Sequence, residues 1–318
     1  MSKTATSTTA FIFPGQGSQS VGMGKALAET YPVARAVFDE VDAALDEKLS
    51  HLIFEGPLET LTLTANAQPA LMAVSLAAMR VLETEAGVDL AQAAMCVAGH
   101  SLGEYSALAA AGALSLADAA RLLRIRGNAM QKAVPAGEGA MAVLLGLDFD
   151  AAAAVAQEAA AGDVCDAAND NGGGQVVVSG HKAAVERAMV IAQARGAKRA
   201  MLLPVSAPFH CRLMRPAADA MAAALASISV KAPRLPLVAN VKAGFVSDPT
   251  EIIALLVAQV TGTVRWRESV QFMAQEGVTH FVEVGAGKVL NGLVKRIAEG
   301  ATAVAVGTPA DVAVFQTI

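Results

Sequence analysis

Short apolar runs alternate with longer amphipathic stretches over the first 133 residues. The runs at 10–13 and 94–99 are each closed by a tight turn, which is typical of buried strands. Helical patterns follow, to about residue 49, around 69–84 and over 102–114. A strand, a sharp turn and a helix in succession predict a parallel sheet covered by helices.

The pattern of apolar and polar residues changes in the middle of the chain. Patterns there predict strand, helix, strand, strand, helix and strand at residues 140–147, 151–161, 164–168, 175–179, 182–194 and 199–205. This βαββαβ order is that of a ferredoxin-like unit. We therefore predict a small ferredoxin-like domain at residues 134–206, inserted into a large α/β domain formed by residues 10–133 and 207–318. Strands at 237–241 and 280–284 and a helix near 251–259 are expected to belong to the large domain.

Composition narrows the class of protein. Of 318 residues, 54% are apolar and 17% are charged, so a large core is available. No uncharged stretch is both long and apolar enough to cross a bilayer. The net charge of −5 argues against nucleic-acid binding. The N-terminus lacks a secretory signal, and the three cysteines, Cys96, Cys165 and Cys211, have no metal-ligand spacing, so we expect a cytoplasmic protein without a metal site.

The sharpest local signal is Gly99-His100-Ser101-Leu102-Gly103, a G-x-S-x-G motif between a predicted strand and a predicted helix. This is the context of a nucleophile elbow, in which a strained turn exposes the serine hydroxyl. The N–H at the helix start, on Leu102, can hold an oxyanion. Such motifs also occur by chance as glycine-bounded turns with an idle serine, but the flanking elements favour a nucleophile.

Ser101 needs a base, because a neutral hydroxyl is a poor nucleophile. Among the five histidines, His210 is the candidate, since it lies in a loop that follows the last strand of the small domain and can reach an interdomain cleft. A lone histidine is more often an ordinary surface or core residue. His100 adjoins Ser101 in sequence, so its side chain is expected to point elsewhere and to have a supporting role.

Arg126 lies on the apolar stripe of a helix predicted at 117–133, seven residues after Ala119 and four before Met130. An inward guanidinium needs an anion, which is either an internal acid or a substrate carboxylate bound bidentately. Arg121 and Arg124 point to other faces of this helix and are expected to be solvated. Nucleotide motifs are rejected, because Gly15-x-Gly17 lacks its third glycine and Gly287-Lys288 lacks the other residues of a phosphate loop.

Six segments jointly resemble one family, the malonyl-coenzyme A:acyl carrier protein transacylases of bacterial fatty-acid synthesis, which share their acyltransferase domain with polyketide synthases. The matching segments are GQGSQ at 15–19, GHSLGEYSAL at 99–108, RGNAMQ at 126–131, GQVVVSG at 174–180, KRAMLLPVSAPFHC at 198–211 and VGAGKVLNGLVKRI at 284–297. The resemblance implies a hydrolase-like α/β domain with an inserted ferredoxin-like domain.

The resemblance also implies roles for individual residues. Ser101 is then the nucleophile, His210 the base, and Arg126 the residue that binds the malonyl carboxylate. The backbone N–H groups of Gln16 and Leu102 form the oxyanion hole. Further positions matched to the family are Gln259, whose main-chain carbonyl orients the histidine, Asn171, which lines the cleft, and Phe209, which with Leu102 resembles malonyl-selective members. Ala286, where the family often has proline, and the glycine-rich NDNGGGQ are departures.

The implied reaction transfers malonyl from malonyl-coenzyme A, through a malonyl-serine, to the phosphopantetheine thiol of an acyl carrier protein, with no cofactor. A serine hydrolase or esterase with the same elbow is an alternative that requires an acid to orient His210. A catalytically dead scaffold that docks the carrier is another. The family implies a monomer.

An acidic carrier requires a basic patch on this net-negative chain. We expect it at Arg195, Lys198 and Arg199, although such a charge run is commonly a solvated helix end. A second candidate is formed by Lys288, Lys295 and Arg296.

Overall fold

The structure is a computed structural model that describes residues 7–316. Within this range lie ten strands, at β1 (Thr9–Phe13), β2 (Cys96–Gly99), β3 (Gly139–Leu145), β4 (Cys165–Asp170), β5 (Gln175–His181), β6 (Arg199–Leu202), β7 (Leu237–Ala239), β8 (Gly244–Val246), β9 (His280–Val284) and β10 (Thr302–Val306). The polar N-terminus, for which we predict no secretory signal, lies outside the described residues as far as residue 6.

The described chain also contains fifteen α-helices and one 3-10 turn at Arg212–Met214. The helices are α1 (Lys25–Thr30), α2 (Pro32–Leu45), α3 (Leu49–Glu55), α4 (Leu58–Thr62), α5 (Thr64–Glu85), α6 (Leu90–Ala93), α7 (Gly103–Ala110), α8 (Leu116–Lys132), α9 (Phe149–Ala160), α10 (Lys182–Ala194), α11 (Arg215–Ala226), α12 (Pro249–Thr261), α13 (Trp266–Gln275), α14 (Val289–Ile297) and α15 (Pro309–Phe315). No described helix is long and apolar enough to span a membrane.

The large sheet has the strand order β10-β9-β1-β2-β7-β8. All its neighbouring strands are parallel except β7 and β8, which form an antiparallel pair at the edge. Successive side chains of β1 face opposite sides, so that Phe11 and Phe13 pack with the α5, α7 and α8 side, while Ala10 and Ile12 pack with α13 and α14. Because helices cover both faces, β1 and β2 are apolar at nearly every position.

The small sheet has the order β4-β5-β3-β6, and all its neighbouring strands are antiparallel. Helices α9 and α10 cover one of its faces, where alanine and valine side chains interlock. This is the ferredoxin-like arrangement, and with the large sheet it confirms the predicted fold class. The domain boundaries at residues 134 and 206 stay a prediction.

A segment of the large domain contacts the small sheet at strand β4. The Val264 N–H donates to the Ala168 carbonyl at 2.8 Å, and the Asp170 N–H donates to the Val264 carbonyl at 2.9 Å, so the large domain adds a short parallel bridge to the small sheet. An ion pair of 2.8 Å between Arg267 and Asp170 lies beside it. These contacts fix the wall of the cleft that the two domains form.

Helix α5 begins at Thr64, earlier than the prediction of a start at Pro69. Proline cannot donate the helical hydrogen bond that the Ala65 carbonyl would otherwise accept. Arg124 takes that place, with Nη1 donating to the Ala65 carbonyl at 2.7 Å. The expectation that Arg124 is solvated is therefore wrong, since its side chain is 14% exposed and also pairs with Glu47.

Candidate active site

Ser101 lies on the sharp turn between β2 and α7, and its φ of 54° is in the left-handed region. Only glycine fits on either side of the turn. A Cβ on Gly99 would lie 2.0 Å from the Gly103 carbonyl carbon, and one on Gly103 would lie 2.2 Å from the Phe13 carbonyl oxygen. The two glycines therefore let strand and helix approach closely enough to expose the serine hydroxyl.

Asn240 stabilises this turn with two side-chain hydrogen bonds. Its Oδ1 accepts the Ser101 N–H at 2.8 Å, and its Nδ2 donates to the Gly99 carbonyl at 2.7 Å. Asn240 follows β7, the neighbour of β2 in the sheet, so the carboxyl ends of two parallel strands supply the nucleophile and its support.

His210 is placed to accept the serine proton. Its Nε2 lies 2.7 Å from Ser101 Oγ, and its Nδ1 lies 2.8 Å from the main-chain carbonyl oxygen of Gln259. A carbonyl only accepts, so Nδ1 carries the proton and Nε2 is left as the acceptor. Burial, and to a smaller extent the charge of Arg126, lowers the pKa of His210 to about 3. The imidazole is therefore neutral at neutral pH and can act as a base.

Arg126 is 1% exposed and lies against the nucleophile. Its Nη2 donates to Ser101 Oγ at 3.2 Å and to Gln259 Oε1 at 2.8 Å, while Nη1 donates to Gln68 Oε1 at 2.7 Å. No carboxylate of residues 7–316 lies within ion-pair distance of Arg126. Burial lowers the pKa of this guanidinium, so the site has a desolvated cation beside the serine and lacks a directly bound anion.

The cleft lined by Ser101, His210 and Arg126 has a volume of about 600 Å³. Gln16, Leu102, Asn171 and Phe209 all line it. Among the hydrogen bonds of residues 7–316, the backbone N–H groups of Gln16 and Leu102 donate to no acceptor. Asn171 Oδ1 lies 2.9 Å from His100 Nε2, and the supporting role of His100 stays a prediction.

Three residues of the site were missed in the sequence, namely Gln68, Glu104 and Asn240. Gln68 is a buried polar residue within the apolar helix α5, and Glu104 is a buried acid within the serine motif itself. Their positions gave weak signals, but their partners are far away in sequence, so no local pattern could pair them.

The predicted basic patch is only partly available. Arg195 forms an ion pair with Glu158, so its charge is already compensated. Lys198 and Arg199 are exposed and lie outside every ion pair found in the described chain. The Lys198 N–H donates to the Leu145 carbonyl, at the end of β3 that approaches the glycine loop at 172–174.

Comparison with known proteins gives one consistent picture. A family described as the acyl transferase domain matches residues 10–311. The malonyl CoA-acyl carrier protein transacylase of Escherichia coli K12 is 49% identical over 304 residues, which cover 96% of this chain and 97% of the relative.

Solved structures agree. An acyl-carrier-protein-S-malonyltransferase from Bartonella henselae superposes with a TM-score of 0.95 and 56% identity, over 98% of this chain and 99% of that one. A malonyl-transacylase in complex with its type II PKS acyl-carrier protein has a TM-score of 0.94 and 43% identity, over 97% of this chain and 99% of that one.

Proposed function

Because this chain belongs to the acyltransferase family that contains the malonyl-CoA:acyl carrier protein transacylases, we propose that it transfers malonyl from malonyl-coenzyme A to the phosphopantetheine thiol of an acyl carrier protein. The family resemblance expected from the sequence is confirmed by the match over residues 10–311. The observation that carries the proposal is the buried Arg126, whose Nη2 lies 3.2 Å from the nucleophilic oxygen. In a malonyl group, one methylene separates the carboxylate from the reacting carbonyl. A carboxylate bound to Arg126 therefore keeps that carbonyl close to Ser101 Oγ.

The first half of the reaction acylates Ser101. His210 Nε2 takes the hydroxyl proton while Oγ attacks the thioester carbonyl, and the N–H groups of Gln16 and Leu102 stabilise the oxyanion. Arg126 binds the malonyl carboxylate and thereby offsets the charge that lowers the pKa of His210, so the substrate itself strengthens the base. Coenzyme A then leaves as a thiol with the proton from His210.

The second half transfers malonyl onward. The phosphopantetheine thiol gives its proton to His210 and attacks the malonyl-serine carbonyl. The tetrahedral intermediate collapses, and Ser101 regains its proton from His210. The scheme uses no metal or redox cofactor. The chain is proposed to act as a monomer in the cytoplasm, where its three free, buried cysteines suit a reducing environment.

The hydrolase alternative is disfavoured by the group that orients His210. Its Nδ1 partner is the Gln259 carbonyl, where that alternative requires a carboxylate. The cleft also places the Arg126 cation beside the nucleophile, where an apolar ester offers no carboxylate to bind it. The dead-scaffold alternative is disfavoured because nucleophile, base and cation lie in hydrogen-bond contact.

Intact mass measurement after brief incubation with malonyl-coenzyme A tests the proposed function. We expect the protein mass to rise by one malonyl group, and the adduct to disappear on addition of holo acyl carrier protein, which gains the same mass. Rapid release of free malonate without carrier would support a hydrolase instead. An unchanged protein mass together with an unmodified carrier would support the dead scaffold.

Carrier docking is proposed at a basic rim that includes Lys198 and Arg199 of the first candidate cluster and Arg296 of the second. The Gly146 N–H donates to the Gly174 carbonyl at 2.7 Å, and the backbone of Lys198 lies beside Gly146. The glycine loop also approaches α14, because a Cβ on Gly173 would lie 3.4 Å from Arg296 Cδ. Lys198 and Arg296 therefore both lie near this loop, and α14 lines the cleft through Val289 and Leu293.

Charge reversal at Lys198 and Arg199 is expected to lower kcat/KM for the carrier about five- to tenfold at low salt, because rim charges act on encounter. The rate of Ser101 acylation by malonyl-coenzyme A should not change. Stopped-flow or gel-shift assays of malonyl-carrier formation at several salt concentrations measure this. Lys231→Glu, an exposed residue beside Ala113, is the control. Equal carrier kinetics in the double variant and the control would exclude this side of the rim.

A further inference from the structure

Glu104 is a buried acid to which the proposed reaction gives no role. It lies in the first turn of α7, three residues after the nucleophile, and is 1% exposed. Its Oε2 accepts the Asn240 N–H at 3.0 Å and the Gln259 Nε2 group at 2.9 Å. Placing a carboxyl group here costs free energy unless its charge is compensated, so its position requires an explanation.

Gln259 connects Glu104 to Arg126. The amide donates through Nε2 to Glu104 and accepts through Oε1 from Arg126 Nη2 at 2.8 Å. An amide has a donor at one end and an acceptor at the other, so the anion and the cation both favour this single orientation. The acid and the guanidinium thus form an ion pair with one amide between them.

The other buried acids have different partners. Asp42 accepts from Ser50, Asp170 pairs with Arg267, and Glu283 accepts the N–H groups of Leu290 and Asn291 at the start of α14. Within residues 7–316, this leaves Glu104 as the acid linked to Arg126.

The groups that face Glu104 leave its charge sensitive to Arg126. Glu104 faces the Arg126 cation from α8, and it faces the neutral amides of Gln259 in α12 and of Asn240 in the turn after β7. On its own helix it faces Tyr105, and burial raises the pKa of Tyr105 to about 12. Burial raises the pKa of Glu104 to about 7, against the opposing effects of the two hydrogen bonds and the Arg126 charge. A change in the charge next to Arg126 is therefore expected to change the protonation of Glu104 near neutral pH.

Resting on the proposed function, we propose that Glu104 is the resident counter-anion of Arg126 and takes up a proton from solvent when a malonyl carboxylate binds there. One buried cation stabilises one anion, and a carboxylate in direct contact with the guanidinium displaces the anion that acts through an amide. A second negative charge in the same desolvated site favours the neutral acid. The bound pair is then Arg126 with the substrate carboxylate, and Glu104 is uncharged.

Proton uptake during acylation tests this exchange. Ser101 is acylated with malonyl-coenzyme A or acetyl-coenzyme A at pH 7 in weakly buffered solution with a pH indicator, and the adduct is counted by intact mass. Both reactions release coenzyme A, so its thiol contributes equally. We expect an excess uptake of roughly half a proton per malonyl group over acetyl, since a group with a pKa near 7 is half ionised at that pH.

Glu104→Gln keeps the shape of the side chain and an acceptor for the Asn240 N–H but cannot titrate. In this variant, the excess proton uptake per malonyl adduct over acetyl adduct is expected to vanish. Glu283→Gln removes a buried acid outside the Glu104–Gln259–Arg126 connection and should keep the excess. By linkage, the wild-type KM for malonyl-coenzyme A should rise severalfold from pH 6 to pH 8, because the ionised acid competes for Arg126, and this rise should be absent in Glu104→Gln.

The outcomes separate the two proposals. No malonyl adduct on the wild-type protein would overturn the proposed function. An adduct without excess proton uptake would leave the transferase intact and overturn the role of Glu104. If Glu104→Gln shows the same excess proton uptake as the wild type, the proton is taken up by another group, such as His210. That result would also overturn the role of Glu104. Should Glu104→Gln fail to fold, absence of the excess in the wild-type protein would still overturn the role of Glu104, and Glu104→Asp, which keeps a titratable acid there, should retain an excess that Glu283→Gln leaves unchanged.

Discussion

Replacement of Ser101 by alanine is expected to abolish malonyl labelling and to lower the transfer rate about 10⁴-fold or more, since the covalent path is lost. Alanine has the same Cβ as serine, so the strained φ of 54° costs no more than before. The variant loses only the hydroxyl contacts with His210 and Arg126. Intact mass after incubation with malonyl-coenzyme A and the rate of malonyl-carrier formation measure the effect.

Ser106→Ala is the matched control for this variant. Ser106 lies on α7, the helix that follows Ser101, is fully buried, and its hydroxyl has no hydrogen-bond partner among the described residues. Its labelling should equal that of the wild type, and thermal denaturation should show both variants folded. Covalent malonyl on a folded Ser101→Ala protein would remove Ser101 from the nucleophile role.

The fold was predicted best where one pattern repeats over a complete element. Strand β9 and helix α10 have the ends that the sequence predicted, and a glycine lies within three residues of each end, at 277 and 285 for β9 and at 180 and 196 for α10. The βαββαβ order was also readable, since each of its elements carries its own periodicity. Its sheet order, β4-β5-β3-β6, follows from the ferredoxin-like pattern as a whole.

Short elements were missed. A loop was expected after residue 49, yet α3 and α4 lie there, with seven and five residues. Strand β8 has three residues, too few for an alternating pattern to appear, and it forms because β7 offers an edge. The last predicted strand of the small domain ends at Leu202, before 203–205 turn into the cleft wall.

The site was predictable only in part. Ser101, His210 and Arg126 each carried a signal, in a motif, a loop position or a helix stripe, and the structure brings them into contact. Gln68, Asn240 and Glu104 contribute hydrogen bonds to partners as far as 155 residues away in the sequence. Such polar partners are set by the tertiary fold, so a single sequence cannot pair them.

Replacement of Arg126 by alanine is expected to reduce malonyl transfer about 10²–10³-fold while reducing acetyl transfer far less. The variant removes the cation that would bind the malonyl carboxylate in a desolvated pocket, and an unpaired buried charge costs about 3–5 kcal/mol. Acetyl has no carboxylate for Arg126 to bind, so its transfer loses little when the guanidinium is removed. The ratio of kcat/KM for the two coenzyme A thioesters measures the effect.

Two further variants sharpen this prediction. Arg126→Lys should recover malonyl transfer only in part, because an ammonium group cannot make the planar two-bond fork or keep the contacts with both Gln68 and Gln259. Arg124→Ala, on another face of α8, removes contacts with Ala65 and Glu47 and should change stability without changing the malonyl-to-acetyl ratio. Equal losses of malonyl and acetyl transfer in Arg126→Ala would show that Arg126 supports the fold of the site and does not select the substrate.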